Sequence, residues 1–361
     1  MRACTLTRMP VSAMGLARTR IRTIMGAVVV GCAALAGAGC ATPADDSASI
    51  IRTTTNIAGA GVVGLERDTA HACSLPTAPD PAAGATRTIT HPFGVTEVPA
   101  DPQRIVVLST AALDAVCAVG LWERVVGAAT VEGPSPQPGY LGTGIAEIPG
   151  VGTVAHPDPA LIAALNPDLI IGDMPTPGAD FGALSGIAPT VLVGVTGGWQ
   201  DQFTTIAASL GRSGAAETAL ANFRTEAADA GNAVAANLTQ ASIVRFTADG
   251  TRVLGNETMP AQVLALTGAH RPTAQRGGSF DVDESDLQPV EGDLIYVMFA
   301  GPEGREHGEA VLRSDEWKAL GAATDRRVFA VDDALWHTQG LTAARAVLTD
   351  LRNTLNAYVT D

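Results

Sequence analysis

Short apolar runs alternate with amphipathic segments along most of the chain. Residues 104–108 predict a buried strand, residues 111–121 predict a helix with apolar side chains at helical spacing, and residues 125–128 predict the next strand. A loop rich in proline and glycine then continues as far as Tyr140. This alternation is typical of a parallel sheet that is covered by helices, so we predict an α/β fold.

One pattern occurs twice, an amphipathic helix followed by an apolar strand that opens on Asp-Leu-Ile. The first copy lies at residues 165–173 and the second at residues 290–298. Each copy is followed by a helical segment, a second strand and a tryptophan, which is Trp199 in the first half and Trp336 in the second. The shared order of elements predicts two similarly built α/β lobes with a ligand cleft between them.

The longest predicted helix lies between the two similar halves. It is rich in alanine, contains no proline, and repeats its apolar residues near helical spacing. We therefore expect one helix to join the lobes and to limit their movement. The predicted divisions are a lipoprotein signal peptide (1–39), a tether (40–90), an N-terminal lobe (91–212), the bridging helix (213–238) and a C-terminal lobe (239–361).

The N-terminus has the pattern of a secretion signal. Arginines precede an apolar run at residues 24–39 that is short for a membrane span and rich in small residues. The run ends at Ala38-Gly39-Cys40, which matches a bacterial lipobox and predicts lipidation of Cys40. The protein is then expected on the outer face of the cytoplasmic membrane, held by its lipid. An ordinary signal peptide or an uncleaved anchor is the alternative.

Removal of the signal makes an acidic chain more acidic. Five arginines and no acidic residue precede Cys40, so the formal net charge moves from −14 to −19. Such a body argues against nucleic acid and anionic lipid as partners. Because Lys318 is the only lysine, recognition of anionic groups must come from arginine.

Two cysteines remain once Cys40 is acylated and the signal is removed. In an oxidising compartment, Cys73 and Cys117 predict a disulfide that pins the tether to the first helix of the first lobe. Two buried thiols that never meet are the alternative.

Several motifs resemble those of iron-siderophore and cobalamin periplasmic binding proteins. In chain order they lie at residues 94–99, 102–108, 150–153, 165–171 and at Trp336. With the cysteine pair, they are most similar to the mycobacterial FecB-type lipoproteins. The resemblance implies two α/β lobes joined by one long helix, a ferric siderophore or related iron chelate in the cleft, and delivery to an ABC permease in the membrane. We expect a monomer.

One position departs from the family pattern. The helix before Pro-Asp-Leu-Ile usually carries a glutamate that docks on the permease, and Ala160 occupies that position here. Gln262 stands where the second lobe often has an acidic residue. An envelope-integrity lipoprotein that keeps the fold without dedicated transport is therefore an alternative function.

The expected binding residues lie in loops at the carboxyl ends of strands, where open α/β sheets bind ligands. Aromatic faces suit the apolar shell of a chelate, and arginine suits its charge. The candidates are Ser109, Thr110, Tyr140, Asp173, Met174, Trp199, Thr247, Arg252, Phe299, Trp336 and His337. Arg245 ranks below Arg252 because its direction depends on strand register. A place in the core is the alternative for the tryptophans and for Phe299.

Other ligands and activities fit the sequence less well. Haem is a rival, because Tyr140 or His337 could supply an axial ligand. The six histidines show no close pair at metal-ligand spacing, so we expect no resident metal and no cofactor, with iron carried only as a chelate. A site built from His156, His337 and Asp173 is the alternative. The sequence lacks a dinucleotide fingerprint, a Walker lysine and a nucleophile elbow, and we expect no enzymatic activity.

Overall fold

The computed structural model of the protein describes residues 52–53, 55–133, 135–174, 180–194 and 197–360. The predicted signal peptide and Cys40 lie outside the described residues. The strands are β1 (Arg52–Thr53), β2 (Asn56–Ile57), β3 (Ala60–Val62), β4 (Thr86–His91), β5 (Gly94–Pro99), β6 (Ile105–Val107), β7 (Val125–Thr130), β8 (Gly150–Thr153), β9 (Leu169–Met174), β10 (Thr190–Gly194), β11 (Ala241–Thr247), β12 (Gly250–Val253), β13 (Phe280–Asp281), β14 (Leu294–Phe299), β15 (Val328–Ala330) and β16 (Tyr358–Val359). The α-helices are α1 (Thr110–Ala118), α2 (Thr143–Ala146), α3 (Pro159–Ala164), α4 (Phe181–Ser185), α5 (Trp199–Ser209), α6 (Ser213–Ala233), α7 (Met259–Leu266), α8 (Gly301–Arg313), α9 (Asp315–Lys318), α10 (Gly321–Thr324), α11 (Asp333–Trp336) and α12 (Leu341–Thr354).

The first lobe contains a five-stranded parallel sheet in the order β10–β9–β6–β7–β8. Successive side chains of a strand point to opposite faces, and both faces are covered here. Ile105 and Val107 pack with α1 and α5, whereas Val106 packs with α3 and α4. A buried parallel sheet of this kind reads as a continuous apolar run, which is why residues 104–108 predict it correctly.

The second lobe contains a seven-stranded mixed sheet in the order β13–β12–β11–β14–β15–β3–β2. Strands β11, β14 and β15 are parallel, and β12 and β13 continue the sheet in antiparallel fashion. Strand β3 pairs in parallel with β15, and β2 pairs with β3. Two strands of this sheet therefore come from the segment that was predicted as a tether.

The repeated Asp-Leu-Ile element performs the same structural task in each lobe. In the first, the Asp168 carboxylate accepts hydrogen bonds from the backbone amides of Gln103 and Arg104, at 2.8 and 3.0 Å. In the second, the Asp293 carboxylate accepts one from the amide of Gln240, at 2.7 Å. Each aspartate holds the start of its strand to the neighbouring parallel strand and lies at the amino ends of the strands, opposite the carboxyl edge of the sheet.

Helix α6 joins the lobes as predicted, although it ends at Ala233 rather than at residue 238. Ala235 adopts a left-handed backbone with φ of 51°, which an α-helix cannot contain. The helix buries Leu220, Phe223 and Ala227 in a core cluster that also includes side chains of α5 and α12. Because that cluster continues from one lobe into the other, the lobes share apolar packing as well as a connection.

The predicted tether is wrong for residues 55–80, which form a strap across both lobes, called here the lobe strap. It begins with β2 and β3 in the second sheet, and Arg67 then binds Asp350 of α12 through two bonds of 2.7 and 2.8 Å. Cys73 forms a disulfide with Cys117 of α1, as expected. The strap ends where Asp80 accepts a hydrogen bond from the amide of Ser213, at the start of α6. Its partners are distant in sequence, so the sequence indicated no more than one ordered patch around residues 57–65.

The disulfide should contribute measurably to stability. Replacing both cysteines with serine should lower the free energy of unfolding by roughly 3–4 kcal/mol on the chain-entropy model, because the bond joins residues 44 apart. Urea denaturation without reductant measures this loss. Wild-type protein unfolded with dithiothreitol is the matched control and should coincide with the double variant. A loss below about 1 kcal/mol would show that the strap is held by its other contacts alone.

The closest contact between the lobes is centred on Asp114 of α1. This carboxylate is fully buried and accepts hydrogen bonds from the amides of Thr342 and Ala343, both at 2.8 Å. These amides belong to the first turn of α12, so a side chain of the first lobe caps a helix of the second. Tyr140 donates its hydroxyl to the same carboxylate at 3.2 Å. Gly340 precedes the helix with φ of 146°, and a Cβ there would overlap the Asp114 side chain.

Candidate functional site

The carboxyl ends of the parallel strands in both lobes border one junction. Ser109 follows β6, and five residues further on Asp114 contacts α12 of the second lobe. The loop after β15 approaches the first lobe, where Thr338 lies near the Tyr140 hydroxyl. Since the carboxyl ends of parallel strands share one edge of a sheet, we expect the two edges to border an interlobe cleft. The loops at 175–179 and 195–196 lie outside the described residues.

A buried polar cluster forms the first-lobe wall of the cleft. Asp173, near the end of β9, lies beside the side chains of Ser109 and of Gln202 in α5. Burial raises the pKa of Asp173 to about 6, and these two polar side chains oppose that rise. Ser109 also caps α1 by accepting a hydrogen bond from the amide of Ala112, at 3.2 Å. The first-lobe side of the junction therefore carries a buried carboxylate whose pKa is raised.

Arginine and histidine form the second-lobe wall. Arg245 of β11 binds Asp333 through two hydrogen bonds, Nε to Oδ1 at 2.6 Å and Nη2 to Oδ2 at 2.9 Å. Burial lowers the pKa of His337, the nearby Arg245 charge lowers it further, and Asp333 opposes both. The imidazole is consequently neutral at pH 7 and is available as a hydrogen-bond partner.

A second guanidinium lies beside the first. Arg252 of β12 is the cross-strand neighbour of Arg245, so the two side chains project from the same face of the sheet. Arg252 forms an ion pair with Asp281 at 2.5 Å, and its side chain is 43% exposed. Arg245 and Arg252 thus place two cations next to each other at the rim of the second lobe.

Two of the predicted aromatic contacts are wrong. Trp199 is 2% exposed and packs edge-on against Phe223 of α6, with ring centroids 6.0 Å apart. Trp336 is fully buried; it lies 4.7 Å from the ring of Tyr296, and its Nε1–H donates to Asp350 at 2.9 Å. A large apolar ring after a strand gains more by completing the core than by lining a wet cleft, and both rings do so.

Three further candidates also serve the fold. Phe299 stacks on Phe246, its cross-strand neighbour, on the opposite sheet face from Arg245. Thr247 donates its hydroxyl to the carbonyl of Gly250 and closes the turn between β11 and β12. Tyr140 is 3% exposed, with its hydroxyl bound to Asp114, so it is unsuited to act as an axial haem ligand. Thr110 is half-buried at the start of α1, and the side chain of Met174 lies outside the described part.

Sequence reasoning ranked Arg245 too low and missed Asp333, Gln202 and Asp114. The direction of the Arg245 side chain depends on which face of β11 turns toward α12. The pairing of β11 with β14 sets that face, and the sequence alone does not reveal it. Asp114 did carry a signal, because it is the only charged residue in the apolar helix Thr110–Ala118. A lone acid in a helix that is buried on all sides must find partners, and here it finds them in the other lobe.

The comparisons with known proteins agree with this architecture. A family model described as periplasmic binding protein matches residues 105–335. The chain belongs to this family. The α/β fold with two lobes and the family resemblance proposed from the motifs are therefore confirmed.

Several of the similar proteins have names that state a ligand. The probable siderophore-binding lipoprotein YfiY of Bacillus subtilis is 29% identical over 283 residues, covering 74% of this chain and 86% of that protein. The Fe(3+)-citrate-binding protein YfmC of the same organism is 24% identical over 248 residues, covering 67% and 77%. Staphylococcus aureus SirA, solved in complex with staphyloferrin B, superposes with a TM-score of 0.64 at 25% identity, covering 75% of this chain and 99% of SirA.

Two searches of the described residues bear on other kinds of site. Within the described ranges, no group of three or more His, Cys, Asp or Glu side chains is placed to hold a metal ion. The alternative site of His156, His337 and Asp173 thus does not assemble. Within the same ranges, no helix combines the length and the apolar character that a membrane crossing requires.

Proposed function

We propose that this protein is the substrate-binding component of an ABC importer and carries a ferric siderophore in the interlobe cleft. The observation that carries the proposal is the Arg245–Asp333–His337 group with Arg252 beside it, at the carboxyl edge of the second sheet. The names of YfiY and SirA support this ligand class, and the function is binding without catalysis.

The chemistry of the group suits a chelate of low net charge that presents a few anionic oxygens. A ferric siderophore supplies all the ligands to its iron, and its outer oxygens carry the charge that a protein can recognise. Guanidinium binds carboxylate or catecholate oxygens through paired hydrogen bonds. Since Asp333 and Asp281 already neutralise Arg245 and Arg252, the wall is less basic than a polyanion requires, and a neutral or amphipathic chelate fits better.

Haem is a second candidate, because the His337 imidazole is neutral and lies at the cleft edge, where it can serve as an axial ligand. The proposed attachment is a lipid on Cys40, which leaves the carrier on the outer face of the cytoplasmic membrane. Ala160 is exposed in the first turn of α3, and the adjoining Asp158 uses its carboxylate to cap that helix. We propose that docking on the permease does not rely on a glutamate in α3.

Arginine variants test the location of the site. Arg245→Ala should weaken ferric-siderophore binding by roughly 10- to 100-fold, because hydrogen bonds to a charged group contribute about 1.5–3 kcal/mol. Arg245→Lys keeps the charge but loses the bidentate geometry and should give an intermediate affinity. Isothermal titration calorimetry measures both.

The matched control is Arg305→Ala in the same lobe. Arg305 is also paired with an acidic side chain, Glu309, but on the exposed surface of α8. The affinity of Arg305→Ala for the ferric siderophore should stay within about twofold of wild type. Equal affinities for Arg245→Ala and Arg305→Ala would place the ligand elsewhere.

A further inference from the structure

A cavity of about 860 Å³ lies under the lobe strap and is separate from the cleft. One wall is the strap itself, and the opposite wall is the outer side of α12. Asp173, Arg245 and His337 do not line it. Its lining residues are Thr55, Val62, Val63, Gly64, Leu65, Glu66, Arg67, Asp68, His71, Ala72, Ser74, Tyr140, Glu226, Phe329, Thr342, Arg345, Ala346, Thr349, Asp350, Asn353, Thr354 and Ala357.

Most of the residues that line this cavity lie outside the range that the family model matches; Tyr140, Glu226 and Phe329 are the exceptions. The family model covers residues 105–335, whereas the strap precedes this range and α12 follows it. The cavity volume falls within the range of small-molecule sites, roughly 300–1,000 Å³. A cavity of this size that Asp173, Arg245 and His337 do not line can hold a ligand other than the one proposed for the cleft.

Arg345 gives the cavity its chemical character. It is half-buried on α12, and its Nη1 reaches Ser74 Oγ at 3.4 Å, a long hydrogen bond. Among the described residues, no carboxylate lies within ion-pair distance of its guanidinium. Arg67, on the opposite wall, is neutralised by Asp350. Arg345 therefore offers a cation whose hydrogen-bonding capacity the protein itself uses only weakly.

The remaining lining restricts which anions can enter. Val62, Val63 and Leu65 supply apolar surface, and Leu65 is 66% exposed. Glu66, Asp68 and Glu226 also line the cavity and would repel a ligand of several negative charges. One cation beside apolar surface and surrounded by acids selects a ligand that has a single negative group and an alkyl body.

We propose that the strap cavity is a second binding site, for an amphipathic monocarboxylate such as a fatty acid. The carboxylate pairs with Arg345, and the alkyl chain lies against the apolar side chains of the strap. The site is independent of the interlobe cleft, so both ligands bind at once.

Fluorescent fatty acid provides the test. Titration of the purified protein with cis-parinaric acid should give a saturable rise in fluorescence at one equivalent. Decanoate should displace the probe at least about tenfold more effectively than decanol, which lacks the charged group. Arg345→Ala should abolish this preference for the acid, and Arg345→Lys should retain part of it.

Two controls keep the result specific. Arg352→Ala removes an exposed arginine of the same helix that does not line the cavity and should bind the probe as wild type does. Arg245→Ala should also leave probe binding unchanged, whatever its effect on siderophore. The proposal is overturned by the absence of saturable probe binding, by an acid preference that survives in Arg345→Ala, or by displacement of the probe by ferric siderophore at one shared site.

Discussion

Asp114→Ala is expected to lower the free energy of unfolding by about 3–5 kcal/mol. The substitution removes the acceptor for the amides of Thr342 and Ala343 and leaves both donors buried at the start of α12. It also leaves the buried Tyr140 hydroxyl without its carboxylate partner. Because these contacts join the two lobes, their loss should also weaken the contact between the lobes. Hydrogen exchange of the backbone amides in the first turn of α12 should then become faster.

Asp158→Ala is the matched control for this variant. Asp158 caps α3 by accepting hydrogen bonds from the amides of Ala160 and Leu161, but it is exposed and lies within one lobe. Its loss should cost only about 1 kcal/mol. Similar losses for the two aspartates would mean that the interlobe contact contributes no more than an ordinary helix cap.

The Asp114 carboxylate should also make the free energy of unfolding depend on pH. Burial raises the pKa of Asp114 to about 6, whereas an unfolded aspartate titrates near 3.9. Between these values the folded protein binds the proton more tightly, so this contribution to stability falls as the pH rises from about 4 to 6. The wild type should therefore lose about 3 kcal/mol relative to Asp114→Asn across that window. Parallel profiles for the two proteins would contradict the buried titration.

Trp336→Ala is expected to cost about 3–5 kcal/mol of stability and to leave siderophore affinity within about threefold of wild type. Sequence reasoning expected the opposite, with Trp336 as a ligand contact. Its ring is fully buried beside Tyr296, and its Nε1–H holds Asp350, which in turn binds Arg67 of the strap. Thermal and urea denaturation measure the first effect, and calorimetry measures the second.

Trp336→Phe separates the two contributions of the tryptophan. It keeps most of the ring volume but removes the hydrogen bond to Asp350, so the loss should be about 1–2 kcal/mol. A large fall in siderophore affinity for either variant, with stability retained, would return Trp336 to the binding site.

Local patterns predict the scaffold of this protein well. Strand β6 and helix α6 follow from apolar periodicity, and Asp168 and Asp293 begin equivalent strands because both capture backbone amides of a neighbouring strand. Apolar periodicity can be read from any short window of the chain. The equivalent positions of Asp168 and Asp293 can be read by comparing the two halves of the sequence.

The strap and the site depend on pairing over long distances. Strand β3 is only three residues long, which is too short to show an apolar pattern that distinguishes it from a linker. Its pairing partner, β15, is far away in the sequence. The direction of Arg245 required knowledge of the strand register, and the burial of Trp199 and Trp336 required knowledge of which helices cover the sheets. Asp173 and Ser109 are expected at the site because they end or closely follow a strand, and His337 because it follows the short helix after β15 at the same edge.

Calorimetric titration of the wild-type protein with ferric siderophores is the most direct test of the central claim. The panel should contain ferric hydroxamate, catecholate and carboxylate chelates, with haem and the iron-free siderophores as comparisons. We predict that at least one ferric chelate binds at one equivalent with a dissociation constant of roughly 1 μM or below, and that Arg245→Ala weakens this binding. Absence of binding by every ferric chelate at about 100 μM would contradict a siderophore carrier.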